Sequence, residues 1–286
     1  MATILNLKKS IKTIGNVSKT TRAMQMIAAS KLKRAQEAAL ASRPYVNELT
    51  KLSENLSIRL KETKQPLYMK KQNNPTSLII VLSPDKGLCG GLVTNLLRES
   101  TTNAGEKPYI ITVGKKASQY FARKDSGLIA SFDFGSTLPS FETIFPIIEI
   151  INDYFISEKA GNVKVLYTHF ENLFSQKPTF STLLPISLPE NKIPSANAFF
   201  ELFEPSAEEI LPDLLKHYIE MSLYQYLLES HVSEQASRMI AMQNATENAK
   251  EIIGELSLEY NKARQDKITK EILDISNASF SFAYEH

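Results

Sequence analysis

Residues 233–276, SEQASRMIAMQNATENAKEIIGELSLEYNKARQDKITKEILDIS, decide the fold of this chain. The stretch has no proline and a single glycine, which favours one uninterrupted helix. From Leu214 onward a seam repeats at alternating spacings of four and three residues, and such a heptad seam keeps one helix face against a partner. Its positions are Leu214, Tyr218, Met221, Gln225, Leu228, Val232, Gln235, Met239, Met242, Thr246, Ala249, Ile253, Leu256, Tyr260 and Ala263. At 1.5 Å per residue, a helix over 206–276 would span roughly 105 Å, so it needs a partner of similar length.

The other end of the chain supplies that partner. The same spacing selects Leu7, Ile11, Ile14, Ser18, Thr21, Gln25, Ala28, Leu32, Ala35, Ala39, Ser42, Val46, Leu49, Ser53, Leu56 and Leu60. Two long helices with everything else between them predict an antiparallel coiled coil, with a bend near Pro44 in the first helix. Two interpretations of the polar seam positions stay open. These polar residues either fix the register of the two helices or face other subunits.

The middle of the chain has a different composition. Eight of the ten glycines lie between Gly87 and Gly161, and 61–76 reads as a linker. Short apolar runs predict strands at 77–83, 109–113, 128–132, 163–170 and 179–186, the last two antiparallel, with helices at 92–103, 115–124 and 141–158. This alternation predicts a Rossmann-like α/β domain of three layers. We expect three parts: an N-terminal coiled-coil helix (1–62), an inserted α/β domain (75–195) and a C-terminal coiled-coil helix (206–286), which starts at a capping box, SAEE, at 206–209.

Composition and residue spacing argue against a transit peptide, a membrane-spanning segment, an internal disulfide and a metal site. The net charge is only +2, although eight Lys and Arg residues precede the first acid, Glu37. A transit peptide is disfavoured because the seam continues through this basic segment. No apolar run is long enough to span a bilayer, and the single Cys89 excludes an internal disulfide. The four histidines lack metal-ligand spacing, so we expect no metal site.

Residues 85–91, DKGLCGG, are the one stretch that suggests ligand chemistry. They follow a predicted strand and open a helix, so backbone N–H groups there could cradle a phosphate. The stretch lacks the G-x-G-x-x-G spacing, and no Walker motif occurs in the chain. A tight strand-to-helix turn is therefore favoured, with no cofactor and no catalytic residues. The alternative is a Rossmann-type nucleotide-binding protein with a coiled-coil arm. A basic-zipper reading is disfavoured because zippers carry no such insertion, so no nucleic-acid partner is expected.

Three segments carry a resemblance to a known family: TRAMQMIAASK at 21–31, DKGLCGGL at 85–92 and YNKARQDKITKE at 260–271. In order and spacing they resemble the gamma subunit of F-type ATP synthase, across essentially the whole chain. The resemblance implies a central rotor shaft that couples rotation of the c-ring to conformational cycling of a hexamer of three alpha and three beta subunits. The implied partners are alpha, beta, epsilon and the c-ring. The implied location is peripheral, on the cytoplasmic side of a bacterial plasma membrane.

The resemblance also implies roles for particular residues. Met24 matches a methionine beside an acidic segment of the beta subunits. Glu204 matches an acid that faces the c-ring. The positions that match residues tied to coupling and to beta-subunit contact are Arg238, Arg264, Gln265, Thr269 and Glu271. The sequence departs from the family pattern at Phe203, where a tyrosine is common, and in its aromatic tail, with Phe280, Phe282 and Tyr284.

Overall fold

The computed structural model describes residues 4–59, 66–70, 72–102, 108–124, 127–186, 204 and 206–284. Short 3-10 turns lie at Leu67–Met69 and Phe141–Ile144. The helices and strands, in chain order, are α1 (Ile4–Arg59), β1 (Ser77–Leu82), α2 (Leu92–Thr102), β2 (Tyr109–Val113), α3 (Lys115–Lys124), β3 (Leu128–Phe132), α4 (Phe145–Ile156), β4 (Asn162–Phe170), β5 (Gln176–Leu184) and α5 (Ala207–Tyr284).

The five strands form one sheet in the order β3-β2-β1-β4-β5. All neighbours are parallel except β4 and β5, which are antiparallel as the sequence predicts. Strand β1, SLIIVL, lies in the middle and is buried at every position after Ser77. A strand covered on both faces needs apolar side chains on both, which explains its unbroken apolar run.

Side chains of β1 alternate between two apolar clusters, one on each face of the sheet. Ile79 and Val81 pack with Leu96 of α2 and Phe121 of α3. The opposite face carries Leu78, Ile80 and Leu82, and it packs against α4 and α5. The sheet therefore lies between two helical layers, which confirms the predicted fold class.

Helix α5 has a second apolar stripe that the heptad analysis missed. Leu211, Leu215, Ile219, Leu223 and Leu227 recur every four residues and are buried in the cluster on the α4 face of the sheet. Residues four apart lie on the same side of a helix. The first turns of α5 therefore serve two surfaces, the seam with α1 and the sheet.

The heptad seam is confirmed in both of the compact units into which the chain divides, residues 1–27 with 239–286 and residues 28–238. Every predicted seam position from Leu7 to Leu56 and from Leu214 to Ala263 is buried or half-buried. In the second unit Ser42 contacts Gln225 and Tyr45 contacts His217, so the two helices run antiparallel. Leu60 lies outside the described residues.

The polar seam positions pair with each other in part. In the first unit the hydroxyls of Thr21 and Thr246 lie 2.7 Å apart, and Thr246 also donates to the carbonyl of Met242. A polar pair inside an apolar seam favours one alignment of the two helices because a shift of register would lose the contact between the two hydroxyls and place each of them against apolar side chains. This contact supports the register reading for these two threonines.

Several predicted boundaries shift for local reasons. The stretch at 141–158 begins as a 3-10 turn, and α4 starts at Phe145, with Pro146 in the first turn where its missing N–H is harmless. Strand β5 begins at Gln176 because it pairs with β4 as far as the last residue of that strand, Phe170. Pro178 is tolerated there because β5 is an edge strand.

The N-terminus of α5 is capped by Ser206, as predicted, but of the two capping-box contacts the structure shows the one from the Glu209 N–H, while the Glu209 carboxylate meets the Ser206 hydroxyl. The hydroxyl oxygen of Ser206 accepts the backbone N–H of Glu209 at 3.3 Å, and the hydroxyl donates to the Glu209 carboxylate at 3.1 Å. Helix α1 continues through Pro44, and the bend expected there stays a prediction. Residues 187–203, among them Phe203, lie outside the described residues, as do the side chains of Phe280, Phe282 and Tyr284.

Candidate functional site

The glycine loop, residues 85–91, lies at the carboxyl edge of the sheet and is organised by Asp85. One carboxylate oxygen accepts the backbone N–H groups of Lys115 at 2.9 Å and Phe134 at 3.2 Å. The other accepts the N–H of Gly135 at 2.8 Å. Asp85 follows β1, Lys115 follows β2, and Phe134 and Gly135 follow β3. A single carboxylate therefore joins the ends of three neighbouring strands.

The loop presents backbone carbonyls to α5. Arg238 Nη2 donates to the carbonyls of Lys86 and Gly87, each at 3.3 Å. Ser237 Oγ donates to the carbonyl of Cys89 at 2.7 Å. A phosphate cradle would need free N–H groups in this position. The contacts instead support the reading of the loop as a turn that packs against the helix.

Cys89 is a packed side chain in this loop. It is 1% exposed, and burial raises the pKa of its thiol. A thiol nucleophile needs the opposite shift, because the thiolate is the reactive form. These properties support a structural role for Cys89.

Arg238 is held inside the chain on two sides. Its Nη1 lies 2.7 Å from Oε1 of Glu234, one helical turn earlier, and the Arg238 side chain is only 16% exposed. Burial raises the pKa of the Glu234 carboxyl, and the positive charge of Arg238 opposes that shift. The position that the resemblance ties to coupling is therefore anchored to the glycine loop.

His231 completes this buried cluster. Its ring is 2% exposed and stacks on Phe134, with ring centroids 5.9 Å apart. Its Nδ1 lies 3.9 Å from Oε2 of Glu234. Burial lowers the pKa of His231 to about 4, and the positive charges of Lys31 and Arg238 act in the same direction. His231 is therefore neutral at physiological pH.

We expect this histidine to make the chain sensitive to acid. Its pKa is lowered in the folded state, so as the pH falls the unfolded state binds the proton first, and stability is lost between pH 6.5 and about 4. At pH 5 the loss should reach about 2 kcal/mol. His231→Phe should remove this part of the pH dependence. Thermal unfolding of the full chain at pH 7 and pH 5 measures it, and an unchanged pH dependence in the variant would contradict the assignment.

A second polar cluster lies along the seam, centred on Glu229. Its carboxylate contacts Arg43 of α1 at 3.2 Å and His169 of β4 at 2.8 Å. Gln225 contacts Ser42 and approaches the same carboxylate. This cluster was not predicted from the sequence because its members are far apart in the chain and share no spacing. The only signal was that Arg43 and Glu229 each adjoin a seam position.

The other predicted site residues lie on exposed surfaces. Met24 is 39% exposed and lies beside the seam position Gln25. Glu204 is exposed and lies just before α5. Four residues share one exposed segment of α5: Arg264, Gln265, Thr269 and Glu271. Within that segment Thr269 donates to the carbonyl of Gln265 at 3.0 Å, and Lys267 lies 3.5 Å from Glu271.

The described residues hold no group of three or more His, Cys, Asp or Glu side chains that could bind a metal ion. None of the helices, over their described residues, is long and apolar enough to cross a membrane.

The chain is similar along nearly its whole length to known subunits of ATP synthase. A family model described as ATP synthase matches residues 3–280. The chain is 40% identical to the ATP synthase gamma chain of Dehalococcoides mccartyi, over 99% of this chain and 100% of that protein. It is 37% identical to the gamma chain of Methylacidiphilum infernorum, over 98% and 99%.

Solved structures share the fold. A chain of the Euglena gracilis mitochondrial ATP synthase, in a structure of OSCP, F1 and the c-ring, matches with a TM-score of 0.70 at 18% identity, over 98% of this chain and 94% of that one. A chain from the central stalk and c-ring of the Tetrahymena thermophila mitochondrial enzyme matches with a TM-score of 0.58 at 27% identity, over 79% and 99%.

Two long antiparallel helices with an α/β sheet inserted between them in the chain are the fold that these proteins share. The chain belongs to the ATP synthase family, among its gamma chains. It is therefore a subunit of an enzyme complex, in which it forms the central rotor shaft.

Proposed function

We propose that this shaft transmits torque without catalysing any reaction itself. It couples rotation of a membrane ring of c subunits, driven by proton flow, to conformational cycling of a hexamer of three alpha and three beta subunits. The epsilon subunit is a further proposed partner. The site geometry supports this division of labour because the polar clusters serve to fasten helices and loops together.

One observation carries the proposal. From Arg264 to Ile275 every residue of α5 is exposed, including Ile268, Ile272 and Leu273. A single helix is marginal in water without packing, and contiguous exposed apolar side chains mark contact surfaces. A surrounding ring of partner subunits would cover this segment on all sides, as expected if the chain is a central shaft.

Particular contacts follow as proposals. Arg264, Gln265, Thr269 and Glu271 contact the beta subunits from the exposed segment, and Met24 does so from α1. Glu204 faces the c-ring. Arg238 acts differently because both of its terminal guanidinium nitrogens, Nη1 and Nη2, are bound inside the chain. It influences coupling through the glycine loop.

Co-purification tests the assignment. A tagged copy of the chain should isolate a complex with three alpha and three beta subunits, together with epsilon and the c-ring in mild detergent. The alternative, a nucleotide-binding protein with a coiled-coil arm, predicts a different result. Calorimetry of the full chain with ATP or NAD would then show micromolar binding, and isolation of the chain without alpha and beta would refute the shaft assignment.

We also propose the division into 1–62, 75–195 and 206–286. Its support is the five-stranded sheet, all of whose strands fall within the middle part. Hydrogen exchange of the full chain tests it. Amides of 75–195 should lose protection together at a denaturant concentration different from that for the ends of the two long helices. One loss of protection common to the whole chain would contradict the division.

The proposed location is the cytoplasmic side of a bacterial plasma membrane, as a peripheral protein. The bacterial gamma chains among its relatives support a bacterial location. Cell fractionation should place the chain with the membranes, from which it should be released without detergent. If the assembled enzyme were recovered only from the soluble fraction of the cells, that result would contradict this location.

A further inference from the structure

We propose that Asp85 is a positioning residue for coupling, which holds the carboxyl edge of the sheet as one rigid unit to which both shaft helices are fastened. This inference rests on the proposed torque-transmitting function. It names the joint through which torque passes between the α/β domain and the shaft.

Asp85 joins the loops at the carboxyl edge of the sheet. Its two oxygens accept three backbone N–H groups from two separate loops, those after β2 and β3. Hydrogen bonds to a carboxylate are about twice as strong as neutral ones. The loops after β1, β2 and β3 therefore cannot shift independently while the carboxylate is in place.

Both long helices bind these same loops. From α5, Arg238 and Ser237 donate to carbonyls of the glycine loop. From α1, Lys31 Nζ donates to the carbonyl of Ser136, the residue after Gly135. Each helix thus holds a different loop, and Asp85 is the group that ties the two loops together.

Apolar packing and hydrogen bonds between α5 and the sheet resist different kinds of force. The apolar stripe of α5, from Leu211 to Leu227, also packs on the sheet. Apolar burial is not directional, so it resists separation better than it resists sliding. Hydrogen bonds weaken steeply when their angle changes, so they resist the sliding and twisting that torque would cause. The Asp85 network is therefore suited to carry load.

Asp85→Asn in the assembled ATP synthase tests the proposal. An asparagine has one acceptor oxygen, so an amide NH₂ would face at least one of the N–H groups that now bind a carboxylate oxygen. We expect hydrolysis in the presence of an uncoupler to stay near the wild-type rate. Against a proton gradient, the rate of ATP-driven proton pumping should fall by about threefold or more, the change in rate expected when roughly one hydrogen bond is lost.

Asp133→Asn is the matched control. Asp133 lies in the loop after β3, next to Phe134 and Gly135, is 71% exposed and makes a surface contact to Lys115 Nζ at 3.5 Å. The same chemical change there should leave pumping at the wild-type rate. Ser237→Ala weakens the same joint in a second way, because it removes the hydroxyl that donates to the backbone carbonyl of Cys89. It should lower pumping under load in the same direction, even if the Asp85 variant assembles poorly.

The results separate the possible outcomes. Wild-type pumping against a gradient in both Asp85→Asn and Ser237→Ala would overturn the proposal. Equal losses of uncoupled hydrolysis and pumping would also overturn it, because they would show a purely structural role. A wild-type chain that fails to isolate alpha and beta subunits would refute the proposed function instead.

Discussion

Met24→Lys should leave ATP hydrolysis by the assembled enzyme largely intact and weaken its linkage to proton pumping. Met24 is 39% exposed and lies off the seam, so a lysine there extends outward without disturbing the contact between α1 and α5. The resemblance places this position beside an acidic segment of the beta subunits. A new ion pair at one height of a rotating shaft would act as a latch.

The expected size of the coupling defect follows from the energy of an ion pair between the introduced lysine and an acid of the beta subunit. At an effective dielectric constant of 20, two charges 4 Å apart attract by about 4 kcal/mol before solvation costs, and exposed pairs retain about 1 kcal/mol or less. Each 1.36 kcal/mol changes a rate by about tenfold. A partly buried ion pair would therefore slow the release of the shaft from the beta subunit by several-fold to about tenfold. We therefore expect the ratio of pumping to hydrolysis to fall to about one third or lower.

Both activities should be measured on the same membranes. The defect should shrink with added salt, because the Debye length is about 8 Å at physiological ionic strength, and when a nearby acid on beta is neutralised. Met26→Lys is a matched control, since Met26 is 61% exposed on another side of α1. Equal losses of hydrolysis and pumping would refute the latch, as would a reduced yield of complex with normal coupling.

Gly114→Ala should destabilise the α/β sheet severely. Gly114 follows β2 with φ +108°, and an added Cβ would lie 1.9 Å from the carbonyl oxygen of Ser83. Its N–H donates to the carbonyl of Phe132 at 2.7 Å, and the N–H of Ser83 donates to that of Val113 at 2.8 Å. The methyl group can be placed only if the ends of these strands separate. We expect a loss of about 3–5 kcal/mol, which corresponds to a decrease in Tm of about 10 °C or more.

Gly135→Ala provides the control for this prediction. Gly135 has φ +83°, but an added Cβ would meet nothing within 4 Å. The substitution therefore carries only the cost of a left-handed backbone, about 1–2 kcal/mol. Thermal unfolding of the full-length variants compares the two. Equal decreases in Tm would show that the contact with Ser83 is unimportant.

The sequence alone determined the architecture. The heptad seam was readable because one periodicity persists over many turns, and every described position of it is buried or half-buried. The apolar run of β1 and the glycine-rich middle segment predicted the sheet. Such patterns are local, so they need no knowledge of which distant residues meet.

Only the tertiary structure revealed how the shaft is fastened to the sheet. The Asp85 contacts join residues 30 to 50 positions apart, and those of Arg238 with the glycine loop span about 150. Most acceptors of Arg238, Ser237 and Lys31, and all donors to Asp85, are backbone groups, which every residue type carries and which leave no pattern in a sequence. The second apolar stripe of α5 was likewise hidden because it overlaps the heptad seam along the same turns. Composition and periodicity define which faces are apolar, whereas the fold decides which polar groups meet across the chain.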